Sequence, residues 1–133
     1  QQVVDGRVHL LGGQELRSHL EALPLITSTP PVRCPEGSAV LTPAFGELKT
    51  YFSHIIHTVA PFHNHPRWQE LLRACYIASL EEAKNVNAQS AATPMLGAGA
   101  KGASYEAACH VAARALNDWS RGEEMYKGGH GEG

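Results

Sequence analysis

From Pro66 to Asn85 the apolar residues recur at helical spacing. Trp68, Leu72, Cys75, Ser79 and Ala83 fall on one face, and Leu71 and Leu80 widen it, which predicts a helix over 66–85. A second face of Ala108, Val111, Ala112, Ala115, Leu116 and Trp119 follows Ser104, whose hydroxyl suits an N-cap. Gly122 is expected to end that helix. A shorter stripe of Leu16, Leu20 and Leu23 predicts a helix over 14–23, preceded by a short glycine-punctuated stretch from Val3 to Gly13.

Between these stripes the pattern changes. Residues 51–60 (YFSHIIHTVA) are β-branched and aromatic and close on Pro61, the mark of a strand. Residues 37–44 alternate around Val40 and Leu41 and read as another strand, and 90–96 as a short buried one. Four prolines, Pro24, Pro30, Pro31 and Pro35, leave 24–35 as a loop. Strand, helix, strand and helix in this order predict an α/β layer fold with parallel strands.

Composition narrows the function classes. The 133 residues suffice for one domain with a core, and 43% hydrophobic with 18% charged residues fits a globular chain. A net charge of −2, with eleven scattered Lys and Arg, gives no electrostatic footprint for nucleic acid. No apolar run approaches the roughly 18 residues of a membrane span. The three cysteines, Cys34, Cys75 and Cys109, are too few and too far apart for a complete disulfide framework or a CxxC metal pair. Cys75 and Cys109 fall on apolar helix faces, where free cysteine is a small core residue. An intracellular, reducing compartment is expected. Residues 3–121 read as a single domain and 122–133 as a flexible glycine-rich tail.

Two segments carry chemistry. In Ala91 to Gly102 an apolar run breaks into Gly97-Ala98-Gly99-Ala100-Lys101-Gly102 before a helix begins. Such a loop gathers bare backbone N–H groups around one point, as phosphate sites do, although glycines there also serve steric ends. Asp5, between Val4 and Gly6, is placed to act on a water or to serve as an ordinary turn or N-cap carboxylate. The eight histidines assemble no metal site: His54 and His57, three apart in a strand, point to opposite faces, and His63 with His65 supplies only two ligands. No G-x-S-x-G elbow is present, and no cofactor or metal is expected.

Taken in order, the segments resemble the macro domain, in its MacroD-type ADP-ribose-binding and hydrolase branch. Val4-Asp5-Gly6-Arg7-Val8-His9 is similar to the family's VDGAIH, and residues 32–45 (VRCPEGSAVLTPAF) to its CPTGEAKITPGY. Residues 54–61 (HIIHTVAP) are similar to VIHTVGP, 70–80 (ELLRACYIASL) to ELLRSCYRNSL, and 93–102 (TPMLGAGAKG) to FPAISTGVYG. The resemblance spans about residues 3 to 119.

It implies a three-layer α/β/α fold and a cleft between two loops. Val4, Gly6 and Val8 would run beside the proximal ribose, while Gly97, Ala98, Gly99, Ala100, Lys101 and Gly102 would hold the diphosphate. Asp5 would be the catalytic group, acting on the water that attacks the ribose anomeric carbon. His57 would be a strand residue and not a catalyst. Departures stand out: Lys101 occupies the place of the loop's aromatic, Gly97-Ala98 replaces its small polar pair, and Arg7 replaces an alanine.

The family's GDIT and NAAN segments and its last strand have no counterpart in these 133 residues. The expected sheet is therefore incomplete and mixed, with a gap between the strands near Ile56 and Ala92. A longer polypeptide, a partner strand or a remodelled fold would have to satisfy the exposed edges. These losses favour a degenerate macro-like domain serving as a structural or scaffolding subunit of a larger assembly, with at most residual ADP-ribose binding. The alternative is an ADP-ribose-binding domain with mono-ADP-ribosyl hydrolase activity.

Overall fold

At the centre lie two strands, β3 (Ala39–Pro43) and β4 (His54–Thr58), paired antiparallel with Leu41 opposite Ile56. In the computed structural model the described residues are 4–25, 27–28 and 31–128. The parallel pairing expected from element order is not found among them. The reason is the connection: about ten residues join β3 to β4, including a 3₁₀ turn at Gly46–Thr50, whereas a parallel crossover takes a dozen or more. A second antiparallel pair, β1 (Thr27–Ser28) and β2 (Pro31–Val32), falls within the region read as a proline-rich loop.

Helices cover the sheet from both sides. Helix α1 (Val4–Glu21) packs Leu16, fully buried, with Val8, Leu11 and Leu20 against Ala44, Leu48, Phe45 and Ile55. It runs through the stretch expected to be glycine-punctuated and bends at Gly13 (φ 69°, ψ −158°), so the predicted helix over 14–23 is only its second arm. On the other side, α2 (Trp68–Asn85) and α3 (Tyr105–Gly128) share a core of Trp68, Leu72, Cys75, Tyr76, Ala108, Val111, Ala112 and Ala115. Alanine dominates the α3 side, which lets the two axes approach closely. Outside the seam, Arg73 meets Asp118 at 3.3 Å and Trp119 Nε1 donates to Glu81 at 2.7 Å.

Helix α3 starts where Ser104 was expected to cap it: the Ala107 amide donates to Ser104 Oγ at 3.1 Å. Its face is narrower than the sequence suggested. Leu116 is exposed, and so is Cys109, which sits about 100° around the helix from buried Ala108. The helix also runs on past Gly122, since one glycine weakens a helix by only about 1 kcal/mol.

Residues 90–95 adopt no strand, and 91–94 are exposed. An isolated extended segment has no ladder to satisfy its N–H and C=O groups, so it gains nothing from strand geometry. By contrast β4 has such a ladder, to β3 alone among the described residues.

Candidate functional site

Asp5 and its neighbours lie in a helix and not a loop. They occupy the first turns of α1, where a carboxylate is favoured by the helix dipole. Val8 turns inward to the α1 core, while Val4 and Gly6 are exposed. The Asp5 side chain is 79% exposed and meets His9, one turn on, at 3.4 Å from Oδ1 to Nε2. Acid before base at this spacing is the favourable orientation on a helix. His9 is a residue the sequence reading missed; the i, i+4 spacing from Asp5 was its only signal.

Behind His9 lies His57. Their ring centroids are 6.5 Å apart at a 45° tilt, and His57 Nε2 is 3.0 Å from the hydroxyl of Thr42, which is fully buried. Alternation along the strands explains the meeting: Thr42 pairs with Ile55, so 40, 42, 55 and 57 share the face under α1. Burial pushes the His57 imidazole below its usual pKa, His9 and His19 push it further down, and Asp5 partly opposes them. The neutral form is therefore favoured in the fold, and the unfolded chain binds more protons through the window below about pH 6.5. Stability is expected to fall as pH drops below that value, and His57→Gln is expected to flatten this part of the profile. Thermal unfolding followed from pH 5 to 8 checks it.

The glycine loop is built by a different set of neighbours. Gly97, Gly99 and Gly102 all have positive φ, at 83°, 71° and 93°, a conformation a side chain would strain. Gly97 is buried against Leu72 of α2, and Tyr76 Oη accepts the Leu96 amide at 3.0 Å, fixing the chain as it enters. Burial raises the Tyr76 pKa, so its hydroxyl stays protonated, although the Leu96 amide works against the shift. The loop closes through Gly102 N–H to Gly99 at 3.0 Å and Ala103 N–H to Gly97 at 3.2 Å. On its flank the His63 amide donates to the Lys101 carbonyl at 2.8 Å. Gly99, Ala100 and Gly102 are exposed; Ala98 packs on the α2–α3 core.

Lys101 places its ammonium 4.1 Å from the centre of the Phe62 ring, and no carboxylate among the described residues pairs with it. A π face orients the cation without neutralising it. Phe62 and Tyr76 were also missed: one follows the proline that closes a strand, and the other read as an ordinary position on a helix. The candidate groups thus fall into two sets, an Asp5–His9 pair on α1 and an amide loop with one cation, each held by separate neighbours. Burial raises the thiols of Cys34 and Cys75, which disfavours their thiolate forms.

A family model for the macro domain matches residues 1–112. A macro domain-containing protein of Xanthomonas axonopodis pv. citri is 36% identical over 129 residues, covering 93% of this chain and 68% of that protein. The ADP-ribose glycohydrolase MACROD1 of Bos taurus is 32% identical over 119 residues, covering 87% of this chain and 33% of that protein. Among solved structures, the Oceanobacillus iheyensis macrodomain with ADP superposes with a TM-score of 0.76 at 28% identity, over 87% of this chain and 60% of that one. A variant of the same macrodomain with ADPR gives 0.75, also at 28% identity, over 87% of this chain and 61% of that one. The chain therefore spans about three fifths of these solved relatives. A family model over residues 1–112 and a relative 36% identical over 93% of this chain show that the chain belongs to the macro domain family.

Proposed function

We propose that this chain binds ADP-ribose and hydrolyses it from mono-ADP-ribosylated protein. The observation that carries the reading is the loop of residues 97–102, with three left-handed glycines and beside it Lys101, which pairs with no carboxylate among the described residues. Backbone N–H groups approach an oxyanion closely only where no Cβ intervenes, and a cation adds charge that amides lack. Asp5 is the general base. It accepts a proton from water, the water oxygen bonds to the ribose anomeric carbon, and the bond from that carbon to the protein's oxygen breaks, its electron pair leaving with the protein. His9 holds the carboxylate in place from one turn along.

Calorimetry with ADP-ribose tests binding. Saturable heat is expected, and Lys101→Ala is expected to weaken affinity about 10- to 150-fold, as loss of a charge-assisted contact does. No heat from the folded chain at millimolar ADP-ribose would overturn the reading.

A second reading, a structural subunit of a larger assembly, draws on the free edge of β4. The Ala44 N–H to Ser53 bond fixes the ladder's alternation, so His54, Ile56 and Thr58 turn their backbone groups away from β3. Pro43 lies in an outward-facing position on β3, where its missing N–H blunts that far edge. Among the described residues β4 therefore presents the more open edge of the sheet. An extended strand, from a protein partner or from a longer form of this polypeptide, would complete it. Slow hydrogen exchange at the Ile56 amide in an isolated monomer would count against this second reading.

A further inference from the structure

The structure assigns His57, anchored on Thr42, as a positioning residue that holds the His9 ring against Asp5. This rests on the role proposed above for the Asp5–His9 pair and names the support on which that pair depends. His9 is only partly exposed, with the Asp5 carboxylate 3.4 Å away on its solvent side and the His57 ring on its inner side. His57 can serve as a fixed surface because its own ring is pinned: Nε2 is 3.0 Å from Thr42 Oγ1, and Thr42 has no exposed surface. The chain of contacts runs from a buried hydroxyl, through two imidazoles, to an exposed carboxylate. The members come from three elements: Thr42 on β3, His57 on β4, His9 and Asp5 on the first arm of α1. A flexible surface carboxylate gains a defined direction only if its partner is itself held, and the sheet supplies that hold.

Nitrogen-15 spectra of the histidine rings test this on the full chain, with no ADP-ribose present. In the native protein Asp5→Asn is expected to move the His9 Nε2 resonance, because it removes the charge beside it. In a His57→Ala background the same substitution is expected to move that resonance by less than half as much. His57→Phe, which restores a ring without the bond to Thr42, is expected to recover only part of the response. A merely structural role for His57 would lower stability without changing the response. Thr42→Val, close in size and lacking the hydroxyl, gives a second route should His57→Ala not fold, and is expected to reduce the response in the same direction. An undiminished response in His57→Ala or Thr42→Val overturns the assignment, as does the absence of any response in the native protein. Since no ligand takes part, failure of ADP-ribose binding and failure of this assignment are separate results.

Discussion

Asp5→Asn is expected to lower hydrolysis of mono-ADP-ribosylated protein by about 10²- to 10⁴-fold, the range a positioned general base supplies. Asparagine keeps the shape and hydrogen-bonding reach of the side chain and removes its proton affinity. The affinity for ADP-ribose is expected to change by less than about threefold, since the glycine loop is held by Leu72, Tyr76 and His63 and not by α1. Single-turnover hydrolysis and calorimetry on the same preparation separate the two quantities. Equal rates for native chain and variant would remove Asp5 from the mechanism. A native chain that binds and does not hydrolyse would leave a binding domain, and one that does neither would move the balance to the structural reading with its open β4 edge.

The same residues show how much was legible beforehand. Apolar periodicity located α2 and α3 because a helix must bury one stripe, and Trp68, Leu72 and Cys75 could share no other partner. The glycine loop was legible because only glycine accepts three positive φ values in six residues. The first arm of α1 was not. Gly6, Gly12 and Gly13 read as loop residues, yet packing of Val8, Leu11 and Leu16 on Ala44 and Leu48 outweighs their weak propensity. Gly46 makes that packing possible: with φ 56°, it lies where a Cβ would stand 2.5 Å from the Leu11 carbonyl oxygen. No local pattern contains such a long-range requirement. Nor could periodicity distinguish 90–96 from a strand, because strand formation depends on a neighbour and the residues themselves are only apolar and small. Phe62 under Lys101 is of the same kind, a contact made across nearly forty residues by the fold.

The second large effect lies behind the loop. Leu72 is fully buried, and a Cβ placed on Gly97 would stand 3.1 and 3.2 Å from its two δ-methyl carbons. Leu72→Ala is expected to cost about 2–5 kcal/mol, the range for a fully buried leucine. Gly97→Ala is expected to cost about 1–2 kcal/mol for a side chain at positive φ and about 1–3 kcal/mol more for overpacking. The two costs should not add. Shortening Leu72 removes the methyls that the new alanine would strike, so the double variant recovers the overpacking part and keeps the backbone strain. A coupling of about 1 kcal/mol or more is therefore expected in a urea-denaturation cycle. Strict additivity would mean that Leu72 does not support the loop. The loop's shape also bears on ligand, because a displaced Gly97 swings the Gly99 and Ala100 amides with it. ADP-ribose affinity is accordingly expected to fall in Gly97→Ala and to recover partly in the double variant. Recovery of binding together with stability would tie the anion site to the helix core behind it.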